Sequence, residues 1–296
     1  MSRTTTVAST VASAAVTTTT ATSTTGTLEV PGASLHYRLQ GSGPLLLIAQ
    51  SGEGDADRTV DLVSHLEDAF TVLTYDRRGL SRSRLAEPGR TTPLTEHAED
   101  AHRLLAAVTD EPALMLGCSL GAVIGLHLAV RHPGQVSTLI AHEPVAPRLL
   151  PAELRERHTE ELSGLQDTYR SGGLAAAFPE MARVLGIDLS RRDAEPGLTP
   201  QPLDDRRRAN FDYFIEHDFA AIIEDTLDPA SLAGTRTRIL PAVGATTPPE
   251  VFDHRCATEL AQLLGTGIRT FPGGHNGNTA HPRAYAAEIR SLLAGR

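Results

Sequence analysis

The chain has 296 residues, with 27 basic and 36 acidic side chains and a formal net charge of −9. A surface of that sign does not attract a phosphate backbone, so we expect no nucleic-acid partner. No run of about 18 apolar residues occurs, and we expect no association with a membrane. Cys118 and Cys256 have neither metal-ligand nor disulfide spacing, which favours a reducing, cytoplasmic setting.

Residues 1–27 differ in composition from the rest of the chain. They are almost entirely Thr, Ala, Ser and Val, and Arg3 is their only charged residue. Because Ser and Thr interrupt every apolar run, a secretory signal is the less favoured alternative. We interpret the segment as a disordered, low-complexity tail, although its β-branched residues would also suit an added strand.

The remaining sequence alternates predicted strands with predicted helices. Two short strands flank the turn at Pro31 and Gly32, and buried apolar strands follow in PLLLIA, FTVLTY, ALMLGC and VSTLIA. A charged, mostly helical stretch over 147–234 interrupts the alternation, which resumes afterwards. This order predicts an α/β core with a doubly wound, mainly parallel sheet over 28–146 and 235–296, and a helical cap over 147–234.

Ser119 lies in the pattern GCSLG, between a predicted strand and a predicted helix. Glycine-rich turns between strands and helices are common, so the pattern alone is moderate evidence. In this position, however, Gly117 and Gly121 permit a tight turn that exposes the hydroxyl at the carboxyl edge of the sheet. The N–H of Leu120 would then face an oxyanion formed on an attacked carbonyl. We therefore interpret Ser119 as a nucleophile.

Several segments together resemble the α/β-hydrolase superfamily. They are GCSLG, YDRRGLSRS at 75–83, the glycine-containing loop after LLLIA, and FPGGH near the end of the chain. The resemblance extends over about 28–294 and implies this fold, a serine nucleophile and a cap over the active site. It implies neither a metal nor an organic cofactor. Members that cleave epoxides or carbon–halogen bonds use a carboxylate nucleophile, whereas this chain has Ser119.

The same resemblance implies that the general base follows the last strand. His275 occupies that loop, in FPGGHNG, where glycines leave the imidazole free to turn inward. His281, six residues later, is the alternative and more closely fits the start of the last helix.

The second oxyanion donor is expected in the loop after LLLIA. That loop reads QSGEGDAD in place of the usual His-Gly pattern, and the N–H of Gly52 or Glu53 would act together with that of Leu120. We interpret the carboxylates of Glu53, Asp55 and Asp57 as solvated loop charges. If they faced the site, they would disfavour anionic substrates.

A triad needs a carboxylate that orients the imidazole. The family usually places it after the penultimate strand, but Thr246 and Thr247 stand there. Glu143, at the end of VSTLIAHEP, lies at the same sheet edge as Ser119 and is the favoured acid. Asp253 and Glu250 are the alternatives, although Asp253 also suits a helix N-terminus.

Apolar residues at helical spacing within the predicted cap would pack in its core, and some would line a substrate pocket. The expected pocket residues are Phe178, Met181, Phe211 and Phe214. The sequence thus predicts a serine hydrolase acting on an ester, lactone or related acyl bond of a medium-sized, mainly apolar small molecule. Alternatives are a biosynthetic cyclase or acyl-transfer enzyme, a C–C hydrolase, and a non-catalytic small-molecule-binding protein. The expected partner is a small-molecule substrate, and a homodimer is one possible assembly of the chain.

Overall fold

The computed structural model describes residues 23–188 and 193–293. Within them, nine strands form one sheet. The strands are β1 (Ser23–Val30), β2 (Ala33–Gly41), β3 (Leu45–Ala49), β4 (Thr71–Tyr75), β5 (Arg84–Leu85), β6 (Ala113–Cys118), β7 (Val136–His142), β8 (Arg238–Gly244) and β9 (Arg269–Phe271).

The strands are ordered β1-β2-β4-β3-β6-β7-β8-β9, and β5 pairs with β2 outside this path. All pairings from β4 across to β9 are parallel, whereas β2 pairs antiparallel with β1, β4 and β5. The predicted α/β fold with a mainly parallel sheet is confirmed. Because parallel strands end at one edge, the residues after β3, β6, β7 and β8 are brought close together.

The helices are α1 (Val60–Ser64), α2 (Leu94–Val108), α3 (Leu120–Arg131), α4 (Ala152–Val184), α5 (Asp205–Tyr213), α6 (Phe219–Ile223), α7 (Phe252–Leu263), α8 (Gly277–Ala280) and α9 (Pro282–Leu293). Helices cover both faces of the sheet. Successive residues of a strand point to opposite faces, so the two faces belong to different apolar clusters. In β3, Leu47 and Ala49 join the apolar cluster that includes α2 and α3. Leu46 and Ile48 join the cluster that includes α1 and α9. Both faces of β3 are therefore buried, as its continuous apolar sequence predicts.

The first strand begins earlier than the sequence suggested. Ser23 pairs with Gln40 and Thr27 with His36, so residues 23–27 belong to β1, and their assignment to a disordered tail is wrong. The long strand β2 provides backbone partners for these residues, and β-branched threonines suit an extended conformation. Residues 1–22 lie outside the described residues.

Between β7 and β8 the chain forms α4, α5 and α6, and the predicted helical insertion is confirmed. Helix α4 is interrupted at Gly173, which has φ 68° and ψ −170°. One turn of π-helix, Phe214–Asp218, joins α5 to α6. In the part of the chain that the structure describes, no helix has the length and apolar character needed to span a membrane.

A close backbone approach requires glycine at position 121. A Cβ atom added there would lie 2.1 Å from the carbonyl oxygen of Ala49 at the end of β3. Gly117 is similarly confined, since a Cβ would lie 2.6 Å from the Cα of Ala122. The first turn of α3 can therefore pack against β3 and β6 only with glycine on both sides of Ser119.

We predict that Gly121→Ala lowers the free energy of unfolding by about 3 kcal/mol, because the clash is with backbone, which cannot rotate away. Thermal or urea-induced unfolding would measure the change. Gly164→Ala is the matched control. Gly164 is exposed in α4 with nothing within 4 Å of an added Cβ, and alanine there should stabilise the helix by up to about 1 kcal/mol. Equal stability of the two variants would contradict the prediction.

Candidate active site

Ser119 stands in a strained conformation between β6 and α3. Its φ is 55° and its ψ is −117°, a region that non-glycine residues rarely occupy. The backbone N–H of Ser119 donates to the carbonyl of His142 at 2.9 Å, which joins this turn to the end of β7. The serine thus has the geometry of a nucleophile elbow, in which a sharp turn presents the hydroxyl at the sheet edge.

Ser119 lines a cavity of about 220 Å³ beneath the helical insertion. His275 lines the same cavity, and so do the four predicted pocket residues from the insertion. The complete lining is Ser51, Gly52, Glu53, Arg58, Ser119, Phe178, Met181, Ala182, Leu185, Ile187, Arg207, Phe211, Phe214, His275 and Asn276. The structure therefore brings together the predicted serine, the predicted histidine and the predicted apolar wall.

The loop after β3 lies against the side chain of Arg77. This guanidinium donates to the carbonyl of Ser51 at 3.0 Å and to that of Gly52 at 2.8 Å. Because the C=O and N–H of a trans peptide point in opposite directions, the N–H groups of Gly52 and Glu53 are directed away from Arg77. Leu120 begins α3, and N–H groups in the first turn of a helix have no intrahelical acceptor. All three predicted oxyanion donors thus lie beside Ser119 or line its cavity.

Arg77 also forms a buried ion pair with Asp218, from the π-helical turn of the insertion. Burial opposes ionisation of Asp218, but Arg77 and then His97 outweigh it and hold the pKa of this carboxyl below its usual range. Arg77 therefore connects the loop that carries the candidate oxyanion donors to the insertion.

His275 follows β9, and its ring is oriented by a carboxylate. The Nδ1 atom lies 2.9 Å from Oε2 of Glu143, to which it donates a hydrogen bond. Asp253 Oδ2 lies against the same Nδ1 atom but without hydrogen-bond alignment. With Nδ1 engaged, Nε2 is the ring nitrogen left to act on a neighbouring group.

Glu143 is held at the end of β7 by three contacts. Its N–H donates to the carbonyl of Ala242, and its Oε1 accepts from the N–H of Gly244 at 2.7 Å. The hydrogen bond from His275 occupies Oε2. Glu143 is fully buried and has φ 43°, so a second non-glycine residue at this edge is in the left-handed region. Such strain persists where the surrounding contacts determine the position of the residue.

Burial and charge set the protonation of this cluster. Burial opposes ionisation of Glu143, but the hydrogen bond from His275, the charge of that ring and the N–H of Gly244 outweigh it and lower the pKa of Glu143. Burial raises the pKa of Asp253, and the nearby Glu143 charge adds to this effect. Burial alone would lower the pKa of His275, but the charges of Asp253 and Glu143 raise it above the usual histidine value.

The residues that the sequence left as alternatives lie in different surroundings. Asp253 lies in the first turn of α7, fully buried, and its Oδ1 accepts from the N–H of His254 at 2.9 Å. Glu250 is exposed at the surface. His281 Nε2 faces Asp193 Oδ1 at 3.4 Å, whereas His275 faces the cavity.

Comparisons with known proteins show the family of the chain. A family model for the alpha/beta hydrolase fold matches residues 44–217, more than half of the chain. The chain belongs to the α/β-hydrolase family. It is 38% identical over 272 residues to YraK, an uncharacterized hydrolase of Bacillus subtilis (strain 168), which covers 90% of this chain and 95% of the relative.

Two more distant similarities extend over nearly the whole α/β-hydrolase chain. A zearalenone hydrolase of Bionectria ochroleuca is 27% identical over 271 residues, 90% of this chain and 96% of the relative. The crystal structure of a hydrolase from Pseudomonas aeruginosa PA01 superposes with a TM-score of 0.66 and 25% identity, covering 92% of this chain and 98% of the other.

The acidic loop of this α/β-hydrolase differs from the sequence interpretation. Glu53 and Asp55 are buried, and neither they nor Asp57 is a free solvated charge. Glu53 pairs with Arg58 and Arg207. Asp55 and Asp57 pair with Arg82, Arg206 and, for Asp57, Arg38. The interpretation was wrong because, apart from Arg58, the arginines that neutralise the loop come from distant segments.

Sequence reasoning missed Arg58 and Arg207 as cavity residues. The available signal was the run of three acidic residues in QSGEGDAD, because buried carboxylates require cationic partners. Among the described residues, the group that could offer a metal ion three ligand atoms within 4.8 Å is Glu143, Asp253 and His275. Their contacts with one another already account for this proximity.

We predict that NMR titration of the His275 imidazole in this hydrolase gives a pKa above the usual value of about 6.5. Asp253→Asn removes a negative charge that favours the imidazolium, so the pKa of His275 should fall by about one unit or more. Glu250→Gln is the control, since that exposed carboxylate should leave the titration of His275 unchanged. An identical titration in Asp253→Asn and the wild type would contradict the role of this charge.

Proposed function

We propose that this α/β-hydrolase cleaves an ester, lactone or related acyl bond of a medium-sized, mainly apolar small molecule through an acyl-enzyme on Ser119. The observation that carries the proposal is the arrangement around one cavity. Ser119 in a strained elbow and His275 line it together, and Nδ1 of His275 is hydrogen-bonded to Glu143. In a catalytic triad the carboxylate orients the histidine and the histidine activates the serine, and these three residues supply the groups for those roles.

In the proposed reaction, the hydroxyl oxygen of Ser119 attacks the substrate carbonyl as Nε2 of His275 takes its proton. The N–H groups of Leu120 and of Gly52 or Glu53 stabilise the oxyanion. His275 then returns the proton to the departing alcohol as the acyl-enzyme forms. Water, activated by the same histidine, hydrolyses the acyl-enzyme and regenerates the serine hydroxyl.

Glu143 is the proposed triad acid because it forms the aligned hydrogen bond to Nδ1 and is itself held by Gly244. Its negative charge stabilises the imidazolium that forms when Ser119 loses its proton. Asp253 places a second carboxylate at the same nitrogen. We infer that Asp253 increases the basicity of His275, whereas Glu143 sets the orientation of its ring.

The apolar wall supports a substrate with a hydrophobic acyl or alcohol part. Phe178 and Phe211 meet edge to face with ring centroids 4.8 Å apart, and Met181 and Phe214 extend the surface. Such a wall gains free energy by removing apolar substrate surface from water. The similarity to a zearalenone hydrolase makes zearalenone one defined compound for a substrate panel.

We expect a fluorophosphonate probe to label the wild-type enzyme once, at Ser119, because only an activated serine reacts rapidly with it. Mass spectrometry would locate the label, and turnover of p-nitrophenyl acetate would be lost in Ser119→Ala. Ser51→Ala removes another serine of the same cavity and should still be labelled. Absence of both labelling and turnover, with tight binding of a small molecule, would instead favour a binding protein.

Steady-state kinetics should distinguish the role of Glu143 from that of Asp253. Glu143→Gln should lower kcat by about 10⁴-fold, the typical effect of removing the acid that orients a triad histidine. Asp253→Asn should lower kcat by less than about tenfold and shift the acidic limb of the kcat/KM profile to lower pH, because the pKa of His275 falls. The reverse pattern would assign the orienting role to Asp253.

A further inference from the structure

We propose that Arg58 forms a carboxylate-binding subsite in the cavity of Ser119, so that the preferred substrates carry an acid group remote from the bond that is cleaved. This proposal deepens the proposed function and rests on it for the position of the cleaved bond. The binding site itself is argued from contacts in the cavity.

The charges of the cavity are incompletely balanced. Arg207 donates to both oxygens of Glu53, from Nε at 2.6 Å and from Nη2 at 2.8 Å. Arg58 approaches the same carboxylate with Nε, which lies 3.1 Å from Oε1. Two guanidinium groups and one carboxylate therefore line the cavity, and the fork of Arg207 already occupies both carboxylate oxygens.

The guanidinium of Arg58 has a hydrogen-bond donor without an acceptor in the described part of the chain. Its Nη1 atom is buried and has no hydrogen-bond partner among residues 23–188 and 193–293. Burial lowers the pKa of Arg58, with Glu53 opposing this effect and Arg207 adding to it. A guanidinium nevertheless keeps its charge in a protein, and a buried donor without an acceptor is unfavourable. A ligand acceptor would satisfy it after a rotation of the guanidinium that turns Nη1 towards the cavity, which Arg58 lines.

The backbone around Arg58 is held in place. Arg58 lies in a 3-10 turn, Ala56–Thr59, whose first turn is capped by the side chain of Asp55. The hydroxyl of Thr59 accepts a hydrogen bond from Gln50 at 2.6 Å, which ties the end of the turn to the loop after β3. A guanidinium on such a fixed turn is preorganised for a ligand.

A carboxylate fits these observations because its two oxygens match the planar guanidinium fork and its charge balances the second arginine. The aromatic wall of Phe178, Phe211 and Phe214 would hold the apolar chain between the two ends of the ligand. Half-esters of dicarboxylic acids have this combination of groups. The sequence analysis expected repulsion of anions if the loop carboxylates faced the site; Glu53 does line the cavity, but it is paired with two arginines.

The kinetic test compares p-nitrophenyl glutarate, which has a free carboxylate, with its neutral methyl ester. The wild type should favour the free acid in kcat/KM, and Arg58→Gln should reduce the ratio of acid to methyl ester by about 10- to 100-fold, the range for hydrogen bonds to charged groups. Arg206→Gln is the matched control. Arg206 is close in sequence to Arg207 and pairs with Asp55, but it does not line the cavity, and its loss should preserve the ratio.

A binding test is independent of catalysis. In calorimetry with Ser119→Ala, hexanoate should bind more tightly than hexanamide, and Arg58→Gln in that background should remove the difference. Arg58→Lys keeps a charge but lacks the planar fork, so it should retain part of the preference and serve if Arg58→Gln does not fold.

The outcomes separate the two proposals. Turnover of both esters with a wild-type ratio near one, or equal affinity for hexanoate and hexanamide, overturns the Arg58 subsite but leaves the serine hydrolase intact. Turnover of neither ester overturns the proposed function, and the calorimetric comparison then decides whether Arg58 binds a carboxylate. Loss of the acid preference in Arg206→Gln would show a general effect of net charge and would also overturn the subsite.

Discussion

The organisation of the site depends on one buried guanidinium. Arg77 follows β4, donates to the carbonyls of Ser51 and Gly52, and pairs with Asp218 of the helical insertion. A buried charge is stable only when it is paired and hydrogen-bonded, and the two Nη atoms of Arg77 find such partners in two separate segments. The same contacts that satisfy the arginine also orient the loop beside Ser119. Folding of the insertion and formation of the candidate oxyanion site are therefore physically linked.

A second cluster controls proton affinity. His275 faces Glu143 and Asp253 at one nitrogen, although a single N–H can align with only one of them. Glu143 takes the aligned hydrogen bond and its pKa is lowered, whereas burial raises the pKa of Asp253, whose charge in turn raises the pKa of His275. In the proposed mechanism, the pair divides two tasks that one carboxylate performs in an ordinary triad, namely orientation of the ring and adjustment of its basicity.

Local sequence signals predicted most of the fold and part of the site. Continuous apolar strands and the glycines around Ser119 indicated the parallel sheet and the elbow, because both depend on neighbours in sequence. The position of Glu143 could also be inferred, since parallel strands end at one edge. The extension of β1 to Ser23 could not, because it depends on pairing with β2. Nor could the pairing of Glu53 with Arg207, whose partners are separated by more than half of the chain.

The hydrogen bonds that join neighbouring strand ends fix the positions of Ser119 and Glu143 relative to each other. Ser119 is bonded to the end of β7 and Glu143 to β8, so the separation of these two residues follows the spacing of adjacent strands, about 4.8 Å. The connection 245–251, where relatives of this fold usually carry their acid, supplies no member of the proposed Ser–His–Glu set. Substitutions there leave the distance between Ser119 and Glu143 unchanged, but the length of the connection positions Asp253, which lies two residues beyond it and contacts His275. The side chains of that segment can consequently vary more than its length, while the sheet holds Ser119 and Glu143 together.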